Sequence, residues 1–235
     1  MQISEPMTLA TDWLLAGAAA AFGTRLVGTR TRSGHWAPLL WGLAFLVGAG
    51  AALAGGAFHG FAATLVAPVR AMLWAIALAG SGVAASLLLA GTVLATLGGR
   101  WRRAVLVGAV AQLLGGLALA SRGPEVRHVV WNGTLTIVVI LALAVAGARQ
   151  DRQRLAWLLL ALGLSAAGLL AQRIGVSLGP LNHNDICHVL LTVALWPFYR
   201  IGLGLRDQGG PIGGVWPLIL LEAERTSIRP QRTFR

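Results

Sequence analysis

Four histidines stand at comparable places in this chain. His59 closes one long apolar run, His128 opens another, and His183 and His188 bracket the start of the last. Imidazoles contributed by separate segments are common ligands of zinc and of haem iron, so the pattern predicts a metal or haem site assembled from distant parts of the sequence. The stretch PLNHNDICH, from Pro180 to His188, is the densest polar cluster. Asn182 or Asn184 can cap a helix there, and Asp185 suits the positive end of its dipole. Asn184 and Asp185 share a helical face with His188. His183, five residues before it, is rotated by roughly 140° and joins the same site only from a cap position outside regular helix. GGAFHGF, Gly55 to Phe61, supplies the other half: glycines that permit close helix approach, and a histidine costly in apolar surroundings without a partner.

The elements that must position these residues follow from composition. At 56% hydrophobic and 11% charged residues over 235 positions, with mean hydropathy +0.72, the chain is outside the range of water-soluble domains. A crossing of the hydrocarbon core takes about 20 residues of helix. Seven apolar runs reach or approach that length, near residues 10–28, 36–59, 71–97, 103–121, 128–148, 155–172 and 183–204. The runs are continuous, without the alternation of a transmembrane barrel. The expected fold class is all-α, a seven-transmembrane-helix bundle over residues 1–206 followed by a Gly/Pro-hinged tail over 207–235. Glu5 and Asp12, with no basic residue before Arg25, are unlike a secretory signal, and the first helix is expected to persist.

All nineteen basic residues are arginines, and fifteen of them fall after the first, third, fifth and seventh runs. By the positive-inside rule the N-terminus is outside and the C-terminus cytoplasmic. His59, His128, His183 and His188 then share the outer leaflet, while His35 begins the second run at the inner face as an interfacial residue. The arginines are dispersed over loops without interleaved aromatics, which argues against nucleic acid as a partner. Membrane lipids are the expected partners, and Arg225 to Arg235 would favour anionic ones.

A seven-helix bundle with GGAFHG ending the second helix and HNDICH opening the seventh resembles the membrane hydrolase superfamily of alkaline ceramidases and progestin and adiponectin receptors. The chain also looks like uncharacterised bacterial membrane proteins that share an N-terminal EP…TD and an NHND…H segment. The hydrolase resemblance implies zinc held by His59, His183 and His188, with a metal-bound water attacking a lipid amide or ester at the outer leaflet of a bacterial inner membrane. Asp185 is then the general base or a group orienting a ligand, and Asn184 and His128 are additional candidates. Gly55 stands where that superfamily has a serine, and the spacing of the last motif is one residue longer. The alternative is a non-catalytic integral subunit of a larger membrane complex, associated with haem or pigment, for which the nine tryptophans and glycine-rich faces would serve partner helices. Cys187 is the only cysteine and has no internal disulfide partner.

Overall fold

The computed structural model describes residues 3–122, 126–147 and 151–208, and within them the side chains of all but 30–32, 119–122 and 126–130. The described residues form seven α-helices and no strand: α1 Pro6–Ser33, α2 Trp36–Gly60, α3 Ala67–Thr96, α4 Gly99–Arg122, α5 Val126–Ala146, α6 Arg152–Ile174 and α7 His183–Gly204. Each covers one of the seven apolar runs. Four of them, α2, α3, α6 and α7, are long and apolar enough to cross a membrane, which marks a membrane protein. The tail expected from residue 207 lies outside the described residues from 209 onward. Asp207 and Gln208 are hydrogen-bonded to the bundle: Asp207 accepts from the backbone N–H groups of Trp36 and Ala37 at 2.8 Å each, capping α2, and the Gln208 N–H donates to the Leu94 carbonyl at 2.9 Å. His35 takes part in this cap, its Nδ1 accepting from the Asp207 N–H at 3.1 Å.

Helix α1 packs between α2 and α7, α2 continues onto α3, and α6 lies against α7, while α5 and α6 touch only sparsely. The α1–α2 crossing is close because glycines face each other. A methyl group on Gly23 would lie 2.9 Å from the Gly42 carbonyl oxygen, and one on Gly42 2.8 Å from Val27. Small residues at the crossing let the backbones approach, and packing contacts then hold helices together where no water is available to drive association.

Trp41 of α2 is the hub of the core. Only 1% exposed, it stacks edge-on with Phe198 of α7 and donates its indole N–H to the Leu88 carbonyl of α3 at 3.0 Å. Replacing Trp41 by Ala removes a large packed side chain and its indole hydrogen bond, while the Leu88 carbonyl keeps the Thr92 hydroxyl at 2.8 Å. The expected cost is about 3–5 kcal/mol, read as a lower midpoint of unfolding in detergent mixed with sodium dodecyl sulfate; an unchanged midpoint would contradict this assignment of the core.

Candidate functional site

The ends of α1, α2 and α7 that carry His59 and His188 meet at one end of the bundle, and what they bring together is a network of acids, imidazoles and hydroxyls. On α1, Thr8, Thr11 and Asp12 stand at i, i+3 and i+4 and so share one face. That face is turned to the start of α7. Helix α7 begins at His183 with Asn182 as its N-cap: the Asn182 side chain accepts from the N–H of Asn184 at 2.7 Å and of Asp185 at 3.2 Å, and Asp185 Oδ2 accepts from the Asn182 N–H at 2.8 Å. This reciprocal capping box ties up orphan donors of the first turn.

Asp185 is fully buried, and its other oxygen accepts a hydrogen bond from the Thr8 hydroxyl at 2.8 Å. The Thr8 oxygen in turn accepts from the Asn182 side-chain amide at 3.3 Å. Asp185 therefore fastens the start of α7 to α1. Both of its oxygens are engaged in these hydrogen bonds, which suits the orienting role that was one of its two expected ones.

One turn further on, His188 lies between two groups of α1. Its Nε2 is 3.4 Å from Asp12 Oδ1, and its Nδ1 is 3.4 Å from Thr11 Oγ1. Asp12 is 4% exposed and Thr11 7%. Both separations are longer than a well-formed hydrogen bond. The Thr11 hydroxyl also has the Met7 and Thr8 carbonyls within reach, at 3.0 and 3.2 Å. A hydroxyl, an imidazole and a carboxylate thus stand in line, the imidazole able to donate Nε2–H to Asp12 and face Thr11 with its Nδ1 lone pair. Asp12 and Asp185 are within electrostatic reach of each other, as are His59 and His188.

His59 sits on the rim. Its Nδ1 is 3.6 Å from Glu5 Oε2, and its ring stands edge-on to Phe58 and Trp74. The segment before α1 is clamped over the end of α2 by Ser4, whose N–H donates to the Gly60 carbonyl at 2.8 Å and whose hydroxyl accepts from the Ala63 N–H at 3.1 Å. That clamp places Glu5 beside His59. Below it, a methyl group on Gly56 would come within 2.9 Å of Asp12 Cβ and 2.8 Å of Trp13, so α1 can bring Asp12 this close only because residue 56 has no side chain.

Of the residues singled out from the sequence, His59, Asp185 and His188 are gathered at this end. His183 is helical, as the first residue after the cap, so the cap position that would have let it join His188 belongs to Asn182, and the two rings leave the helix in different directions. Asn184 turns to α6, accepting from Gln172 Nε2 at 2.8 Å. His128 lies in α5, and its side chain is outside the described residues. Among the described residues no three His, Cys, Asp or Glu side chains come close enough together to hold a metal ion. His59, His183 and His188 therefore form no such group here, and both nitrogens of His188 face α1 groups, Asp12 and Thr11. Asp12, Thr11, Thr8 and Glu5 complete the network; the sequence reading noted EP…TD, which holds Glu5, Thr11 and Asp12, but placed none of the four at the site. Their signal is the polar face of an otherwise apolar first helix.

Residues 7–207 match a family of unknown function, DUF6962. The chain belongs to that family. The matched span of DUF6962 takes in the whole α1–α7 network from Thr8 to His188 and the Asp207 cap, and leaves Glu5 just outside. No curated protein and no solved structure matches the chain.

Proposed function

We propose that this DUF6962 protein is a seven-span protein of a bacterial inner membrane, with its arginine-rich end cytoplasmic, and that the α1–α7 network is an acid–base centre for hydrolysis of a lipid amide or ester at the outer leaflet. The reading rests on one observation: His188 is held between a carboxylate and a hydroxyl from a different helix, the relation of base, orienting acid and attacking oxygen that acyl-transfer sites share. Ionisable groups within membrane helices are costly and mark function by default. In this reading Asp12 holds Nε2–H and leaves Nδ1 basic. Nδ1 takes the proton of Thr11 Oγ1, or of a water in its place, as that oxygen attacks the acyl carbon. The C–N or C–O bond breaks, and the proton passes to the departing amine or alcohol; where Thr11 Oγ1 is the attacking oxygen, a water then attacks the acyl-threonine ester, Nδ1 taking its proton and returning it to Oγ1 as the fatty acid leaves. Asp185 and Thr8 position α7, and no step needs the three-imidazole zinc set.

The test is turnover of N-acyl sphingoid and diacyl phospholipid substrates by the purified full chain in nanodiscs, followed by mass spectrometry of released fatty acid, with zinc and haem content measured on the same preparation. Release by the wild type, independent of chelator, is expected. Release that tracks one bound zinc per chain would instead return the metal reading, and no release from either substrate would remove the hydrolase.

A second reading, a non-catalytic subunit of a membrane complex, is favoured by a specific observation: Gly56 and Gly60 seal α1 against α2, and four cavities lined by described residues lie away from His188. Under this reading the network is a polar lock between helices, and solubilisation in mild detergent recovers the chain with partner subunits.

A further inference from the structure

The opposite, arginine-rich end of the bundle contains a second built feature. Because α5 and α6 barely touch, a narrow crevice of about 40 Å³ opens between α5, α6 and α7 over a floor from α2 and α3, lined chiefly by Trp41, Thr92, Ile140, Ala144, Leu158 and Leu205. It is continuous with a shallower cleft at the helix ends, since Asp151, Arg154 and Ile201 line both. The cleft carries Arg154, Arg200, Tyr199, Trp157 and Trp196. The Arg200 guanidinium lies over two indole faces, 5.3 Å from the Trp157 ring and 5.7 Å from the Trp196 ring. Stacking of this kind fixes the plane of the fork and leaves its N–H edges free to meet an anion. Among the described residues no carboxylate forms an ion pair with Arg200, whereas Arg154 is paired to Asp151 at 3.1 Å. Two guanidinium groups against one carboxylate leave the cleft positive.

An apolar slot opening into a cationic, aromatic-rimmed cleft at a bundle end is complementary to one class of molecule: a lipid with an apolar chain and an anionic phosphate head. We propose that this is a binding site for an anionic phospholipid, its phosphate on Arg200 and Arg154 and one acyl chain between α5 and α6. Basic pockets between membrane helices take such headgroups by the same pairing of charge and depth. The aromatic residues beside Arg200 place the head at interface level, where Trp and Tyr are at home. The occupant also accounts for the sparse α5–α6 contact, because a chain lying there would complete the packing. The site is independent of the chemistry at the other end.

The test uses the full chain in detergent with added phosphatidylglycerol, phosphatidylcholine of the same acyl chains, or inorganic phosphate, reading retained lipid by native mass spectrometry and protection by thermal melting. Wild type is expected to retain phosphatidylglycerol over phosphatidylcholine by about fivefold, with no protection from inorganic phosphate. Arg200→Gln should abolish the preference, and Ala144→Phe, which fills the slot, should lower retention of both lipids. Where Arg200→Gln does not fold, Arg200→Lys is measured instead and should show a reduced preference. Equal retention of the two lipids, or a preference unchanged in the Arg200 variant, overturns the proposal. Protection by inorganic phosphate equal to that by phosphatidylglycerol also overturns it, by assigning the cleft to free phosphate.

Discussion

His188→Gln is expected to lower lipid hydrolysis by about 10²–10⁴-fold, the range attached to loss of a general base, while the protein remains folded. Gln fills similar space and hydrogen-bonds to Asp12, but it cannot accept and release a proton. Asp12→Asn should fall in the same range, because an amide cannot support the charge that forms on the ring when Nδ1 takes a proton. Thr11 separates two forms of the reading. Thr11→Ser keeps the hydroxyl 3.4 Å from Nδ1 and should retain turnover. Thr11→Val should abolish it if Oγ1 is the attacking oxygen, and leave a residue if a water stands in. Changing His59, whose partner is the half-exposed Glu5 on the rim, should shift apparent substrate affinity more than turnover. Full activity in His188→Gln would end the acid–base reading. Loss of activity together with loss of fold would move the weight to the polar-lock reading, and the melting curve of each variant decides between them.

The helices were legible as long apolar runs, four of which are long and apolar enough to cross a hydrocarbon core. The meeting of His59 and His188 was legible from the order of the runs, which was expected to bring these ends to one side. What those ends would touch was not. One aspartate in one apolar run carries no mark of the direction it faces, so Asp12 read only as an acid unlike a secretory signal and as part of EP…TD, although Thr8, Thr11 and Asp12 at helical spacing were the available sign. His183 shows how sensitive such a reading is to a helix boundary. With α7 starting at His183 instead of Asn184, one residue of helix turns the ring by about 100° and takes it away from His188. Asp207 was assigned to the tail because glycines and a proline follow it, yet its carboxylate meets the first N–H groups of α2 at a distance of 170 residues or more. Sequence-local composition has no access to a contact of that range.

The largest stability effect at the site should come from Asp185→Ala, at about 3 kcal/mol. The variant leaves two donors without their acceptor, the Thr8 hydroxyl and the Asn182 N–H, each 2.8 Å from a carboxylate oxygen in the native protein. Hydrogen bonds to a charged group contribute about 1.5–3 kcal/mol each in a buried setting, and relief of the repulsion between Asp185 and the nearby Asp12 offsets part of the loss. Asp185→Asn should cost less but not nothing, because an amide presents one oxygen where two acceptors are needed. The Thr8–Asp185 link can be isolated by a cycle of Thr8→Val, Asp185→Ala and the double variant, with unfolding followed in mixed micelles. A coupling of about 1–2 kcal/mol is expected, at the upper end of what interhelical hydrogen bonds deliver in membranes, because both partners are fully buried. Simple additivity would mean that α1 and α7 are held by packing alone. In that case His188 would have no reason to keep its place between Thr11 and Asp12, and the network would lose its claim to be a preorganised site.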